Sequence, residues 1–318
     1  MSKQGAKGIE WCDRTVNVVH GCTPVVHPDH PSACERCYAQ RMASRLKGRY
    51  GYPADEPFRV VTRPDRLSEL LKAQPGERVF VASMGDLFHH CVPDAFIAAV
   101  FGCFAARPDV TYIVLTKRAS LMRAWFEWAG DAGSFVETWQ GWADYADPSG
   151  GLLWPSGLPE APNEFPWPLP NVWLVATTES QHWADERIPD LLACPAAVHG
   201  VSVEGMLGPV DLRPWLPHAF IPGPADCGWE LQCSHDAPDG LSHCGYWESE
   251  HPQPVPALDW VICGAEQGPG ARPFDWAWAE DLRDQCAEAG VPFFVKRGPN
   301  RSEPPADMMI RQWPGGER

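Results

Sequence analysis

Cys34 and Cys37 form a CxxC pair followed by Tyr38, and Cys22 lies upstream across a loop that sets His27 and His30 among prolines. A CxxC at the start of a helix brings two thiols near free backbone N–H groups and the positive end of the helix dipole, which favours the metal-binding thiolate. Two kinds of site accept three thiolates. One is a 4Fe-4S cluster with a single iron left open. The other is a zinc ion completed by His27 or His30. An inert pair of core cysteines fits poorly beside a Pro/His loop. A second group, Cys227, Cys233, His235, His243 and Cys244, falls in a Gly/Pro-containing stretch with too few apolar residues to fold alone, so a structural zinc site is expected there.

The elements that must position these groups alternate along the chain. Short apolar runs predict strands at Thr15–Val19, Arg78–Ala82, Val110–Leu115, Asn171–Ala176, Val198–Val203, Asp259–Cys263 and Val291–Val295. Between them, helical patterns cover Cys34–Lys47, Pro93–Ala106, Ser120–Ala129, Gln181–Leu192 and Trp276–Ala289. Strands alternating with helices predict an α/β fold with a parallel sheet covered on both faces. The number of units points to a partial or complete parallel β/α barrel, one domain over residues 1–318. Two stretches break the rhythm and read as loop insertions: residues 131–170, rich in Trp, Gly and Pro, and residues 222–256, which carry the second Cys/His group.

In such folds the reactive groups gather where loops leave the C-terminal ends of strands. Those ends carry Ser83, Gly85 and Asp86, then Lys117 and Arg118, Thr177, Thr178 and Glu179, Ser202 and Glu204, Glu266, and finally Lys296 and Arg297. Acids and bases at consecutive ends predict one polar basin, with Asp86, Lys117, Glu204 and Glu266 on its wall. Its cations fit a nucleotide or nucleic-acid phosphate. Gly264 to Gly270 lacks a lysine in phosphate-loop position and reads as a tight strand-to-helix turn.

The run Ile9, Glu10, Trp11, Cys12, Asp13, with Thr15, Val16, Asn17, Gly21, Cys22, Thr23 and then Cys34, Cys37, Tyr38, Ala39, resembles the start of a phage and bacterial three-Cys-motif family. The segments Ser83–His89, Leu115–Arg118, Ser202–Glu204, Gly264–Pro273 and Pro292–Lys296 fit the same pattern. That family is similar to radical S-adenosylmethionine (SAM) enzymes of the spore photoproduct lyase type. The resemblance implies a radical SAM-like barrel in which Cys22, Cys34 and Cys37 hold a 4Fe-4S cluster, with SAM on the open iron. Ser83, Gly85, Asp86, Thr177 and Ser202 would contact SAM, while Lys117, Glu204 and Glu266 would serve the reaction. It also implies a flavodoxin- or ferredoxin-type electron donor and a nucleotide or nucleic-acid substrate, in phage DNA modification or repair. Radical SAM proteins commonly space the motif CxxxCxxC with an aromatic before the last cysteine. Here eleven residues separate Cys22 from Cys34, and Arg36 takes the aromatic's place. The longer loop still closes, since each doubling of length costs only about 0.6 kcal/mol. From a different class, a zinc-binding interaction protein on the same scaffold, without redox activity, is the competing expectation.

Composition narrows the remaining classes. With 26 basic and 41 acidic residues among 318, the net charge of −15 excludes a general polyanion binder and leaves only a local basic groove. The first residues lack the apolar core of a secretory signal, and no apolar run is long enough for a membrane span. A cytoplasmic protein of a bacterial host, phage-encoded in one reading, is expected, and its twelve cysteines read as thiols or ligands, not disulfides. Trp139, Trp142, Trp154 and Trp167 lie outside the regular elements and are the tryptophans suited to a binding surface.

Overall fold

Each predicted apolar run forms a strand, and the order of pairing follows the order in the chain. The computed structural model describes residues 2–3, 8–131, 167–217, 256–268 and 270–316. All but the ends of the two expected insertions lie outside these residues, and with them Cys227, Cys233, His235, His243 and Cys244. Strands β1 (Ser2–Lys3) and β2 (Arg14–Val16) open the main sheet, while β3 (Val19–His20) and β4 (Val61–Thr62) pair antiparallel in a separate ribbon. The main sheet continues through β5 (Arg78–Val81), β6 (Thr111–Thr116), β7 (Val172–Thr177), β8 (Val198–Glu204), β9 (Trp260–Gly264) and β10 (Phe293–Val295). From β2 to β10 every pairing is parallel and joins the next strand of that sheet in sequence, and β1 joins the edge antiparallel. This sequential winding gives a seven-stranded parallel half-barrel, consistent with the partial barrel expected.

Helices α1 (Tyr38–Leu46), α2 (Leu67–Leu70), α3 (Asp94–Ala105), α4 (Ala119–Asp131), α5 (Gln181–Leu192) and α6 (Trp276–Ala289) fill the connections. The last shows how local sequence sets the ends: Asp275 accepts the Ala277 N–H at the N-cap, and Gly290 closes the C-terminus at φ 69°. Helix α3 is apolar on nearly all sides and almost wholly buried, as a helix sandwiched in the core must be.

Strand alternation divides the core in two. Val79, Val81, Tyr112, Val114, Leu174, Ala176, Val201, Val203, Val261 and Val295 pack outward with the helices. Phe80, Ile113, Trp173, Val175, Trp260, Ile262 and Phe294 point into the half-barrel. Trp11 fills that interior from the N-terminal segment, its ring 4.7 Å from Phe80 and edge-on to Trp260 at 6.1 Å. No helix among the described residues is long and apolar enough to cross a membrane.

Two expected elements are divided, and both divisions matter for the site. The run Thr15–Val19 breaks at Asn17, whose side-chain oxygen accepts Ser83 Oγ and the Met84 N–H, both at 3.0 Å, in place of regular pairing. The expected helix Cys34–Lys47 becomes a 3₁₀ turn, Ala33–Arg36, followed by α1. Ser32 and Glu35 form a capping box on that turn, and Cys37, at ψ 121°, separates it from the helix.

Candidate functional site

Cys22 is set by a backbone that only glycine allows. Gly21 has φ 77°, and a Cβ there would lie 2.1 Å from the Arg59 carbonyl oxygen. Its N–H donates to Met84 O at 3.0 Å, and it bridges Gly85, where a Cβ would meet Val19 O at 2.8 Å. Gly85 therefore serves a close backbone approach that fixes the start of the cysteine loop. Cys34 sits in the 3₁₀ turn and Cys37 at the N-cap of α1, where its side chain makes no capping bond. All three cysteines are half-buried free thiols. Burial, then Asp86, raises the Cys22 thiol to about 11 against the pull of Arg118, so binding metal there must expel a proton. Arg118 Nη1 lies 3.3 Å from Cys22 Sγ, ready to face the resulting thiolate.

The thiols of Cys22, Cys34 and Cys37 do not all lie within 4.8 Å of one another, the separation that a shared single ion needs. A cluster that binds each thiolate through a different iron does not need that separation. Cys12, Cys103, Cys194, Cys263 and Cys286 are buried, and burial pushes their thiols up, Cys103 and Cys286 to about 12. Those five are core residues.

The strand-end acids and bases resolve into separate pairs. Asp86 accepts Thr116 Oγ1 at 2.8 Å, the Phe88 N–H at 3.1 Å, the Lys117 N–H at 3.3 Å and Arg118 Nη1 at 2.9 Å, and is buried. Its oxygens hold the ends of β5 and β6 together. Lys117 Nζ donates to Glu179 Oε1 at 2.9 Å. That oxygen also accepts Ser32 Oγ and the Ala33 N–H, and Oε2 accepts Arg187 at 2.9 Å. Burial alone would raise the Glu179 carboxyl, but Lys117 and Arg187 bring it down to about 2.

A third pair crosses three strands. Glu204 on β8, Gly264 on β9 and Lys296 just after β10 share a row on the inner face, following their register. A Cβ on Gly264 would come within 2.9 Å of Lys296 Cβ, so the bare glycine lets the lysine lie across to Glu204 at 2.7 Å. Trp11 Nε1 donates to the other Glu204 oxygen at 3.3 Å. One step deeper, Thr177 and Ser202 are register partners, both buried, and Thr177 Oγ1 has no hydrogen-bond partner. Glu266 stands apart in its own loop, paired with Arg272 at 2.8 Å. Ser83 is bound to Asn17 and accepts Tyr38 Oη at its carbonyl.

The four wall residues expected of one basin therefore fall into separate pairs: Lys117, Glu204, Thr177 and Ser202 follow the sheet's inner face, while Asp86 joins Arg118 and Glu266 joins Arg272. Glu179, Arg187 and Trp11 are their unassigned partners. Glu179 is visible by strand ends, two residues after β7 and two before α5, but its pairing with Lys117 and Arg187 is not. Nothing in the spacing of Trp11 or Arg187 connects them to these pairs.

Fold and rim together define an α/β half-barrel protein with paired acids and bases at its strand ends and three half-buried thiols on the segments that follow the first strands. The chain belongs to the family described as DUF5131, proteins of unknown function, whose model matches residues 6–305. No curated protein and no solved structure matches it.

Proposed function

We propose that the protein is a radical SAM-type iron–sulfur enzyme acting on a nucleotide or nucleic acid. The observation that carries the reading is that Cys22 lies beside Arg118 at the strand ends of a parallel half-barrel, while the turn that presents Cys34 is tied to the same rim through Glu179. Cys22, Cys34 and Cys37 would hold a 4Fe-4S cluster, leaving one iron open for SAM. When bound, the cluster supplies the electron, drawn from a flavodoxin- or ferredoxin-type donor, that cleaves SAM to methionine and a 5′-deoxyadenosyl radical.

The chain's own groups do the positioning. Arg118 balances the charge of Cys22 while tying it to Asp86. Glu179, through Ser32 and Ala33, holds the turn that carries Cys34. The Thr177 hydroxyl lacks a partner and is suited to a ligand's polar atom. Lys296 and Glu204 offer a cation and an anion side by side, fitted to the carboxylate and ammonium of an amino-acid moiety. For a nucleic acid, α1 and the turn after it carry exposed Arg45, Lys47, Arg49 and Tyr50, cations beside an aromatic face on an otherwise acidic chain.

Anaerobic reconstitution with iron and sulfide, then reduction in the presence of SAM, tests the proposal. The expected result is iron–sulfur absorption, lost in Cys34→Ala with the far-UV spectrum retained, and release of 5′-deoxyadenosine. Stoichiometric zinc at the three cysteines with no SAM cleavage would overturn it and favour the interaction protein.

A further inference from the structure

The loop between Cys22 and Cys34 carries a second group of metal-ligating side chains that the three thiols do not use. His27 and His30 come from this loop, His182 from the first turn of α5, and ligand atoms of all three lie within 4.8 Å of one another. The rings of His30 and His182 stack at 3.7 Å, and His27 stands 4.7 Å from His30 and 4.9 Å from His182. The backbone that presents them is already fixed, since Trp183 Nε1 donates to Pro31 O at 2.9 Å.

A second, independent observation points to a ligand. His182 Nε2 is shut off from solvent and makes no hydrogen bond. The nearest carboxylate oxygen, Glu186 Oε2 one helical turn on, is 3.5 Å away. A buried ring nitrogen without a hydrogen-bond partner is suited to a ligand, and a carboxylate at that distance favours a cation beside it. The other trio, His89, His90 and Cys91, is less free, because His89 is already bound to Thr23 and to the Cys91 N–H.

We propose that His27, His30 and His182 form a tris-imidazole site for a divalent zinc-class ion, which staples the cysteine loop to α5. Three imidazoles without thiolate suit Zn²⁺, with a fourth position open to water, and the same set accepts Co²⁺. The Asp29 N–H donates to His27 Nδ1 at 3.2 Å, which orients that ring on the loop. The staple also gives the eleven-residue spacing of Cys22 and Cys34 a purpose: a tight CxxxC has no room for two histidines that reach a neighbouring helix.

The test uses the full chain, stripped of metal and titrated anaerobically with Co²⁺ and then Zn²⁺. The difference spectrum between wild type and His182→Gln is expected to show tetrahedral cobalt bands without sulfur-to-cobalt charge transfer. His182→Gln and His30→Asn should each bind one Zn²⁺ fewer per chain, whereas Cys233→Ser keeps that equivalent. Zn²⁺ held at tenfold its Kd should slow cleavage of the 23–33 loop by about tenfold in wild type only, if cleavage requires the metal-free loop. Unchanged cobalt bands and zinc content in both histidine variants would overturn the proposal, as would a thiolate signature in the difference spectrum. Iron content and 5′-deoxyadenosine, measured on the same samples, report on the cysteine site separately, so either site can fail without the other.

Discussion

Glu179 Oε1 accepts the backbone N–H of Ala33 at 3.1 Å, joining the end of β7 to the residue before Cys34. One buried carboxylate therefore links the sheet, through Lys117 and Arg187, to the turn that presents a thiol.

Replacing Glu179 with Gln keeps its shape but leaves Lys117 and Arg187 without their counter-charge. Breaking a buried pair from one side costs about 3–5 kcal/mol. The urea midpoint of Glu179→Gln at neutral pH should fall accordingly, and a change under about 1 kcal/mol would show that the network contributes little.

The same carboxylate predicts acid sensitivity. Its folded pKa, about 2, lies below the ordinary 4.5, so the unfolded chain takes up the proton first as pH falls. Its stabilisation is complete above pH 4.5 and is lost progressively toward pH 2, on the order of 3 kcal/mol in all. Denaturation at several pH values should give a shallower acid slope for Glu179→Gln than for wild type. Parallel slopes would remove Glu179 as the cause.

Gly21→Ala places a Cβ against Arg59 O at a positive φ, and both effects oppose the native loop. A loss of about 2 kcal/mol or more is expected, together with reduced iron uptake, because Cys22 is the next residue. Gly208→Ala, with nothing within 4 Å of the added carbon, is the control and should melt within about 0.5 kcal/mol of wild type.

Lys296→Met removes the cation that lies over Gly264, but Lys296 and Glu204 are 19% and 26% exposed, so stability should change by no more than about 1 kcal/mol. SAM affinity, read by calorimetry, is expected to weaken about tenfold, equivalent to about 1.4 kcal/mol. Undiminished binding would detach this pair from the ligand.

Most of the sheet is legible in the sequence because parallel strands buried on both faces read as short apolar runs, and helices such as Gln181–Leu192 and Trp276–Ala289 match their patterns end to end. Where side chains replace backbone partners, periodicity carries no signal, and Asn17 and the Ser32 capping box divide a strand and a helix there. The rim acids were visible as residues following strands, but their pairing was not. Glu204 reaches Lys296 across β9 only because Gly264 has no side chain, a relation between residues 92 positions apart. Likewise His182 joins His27 and His30 through the docking of α5 on the loop, which local spacing does not encode.

Trp11, packed with Trp173, Trp260 and Phe294, stops the half-barrel at its base. The same indole reaches Glu204 at the rim, so one residue of the N-terminal segment ties the packed interior to the polar row above it.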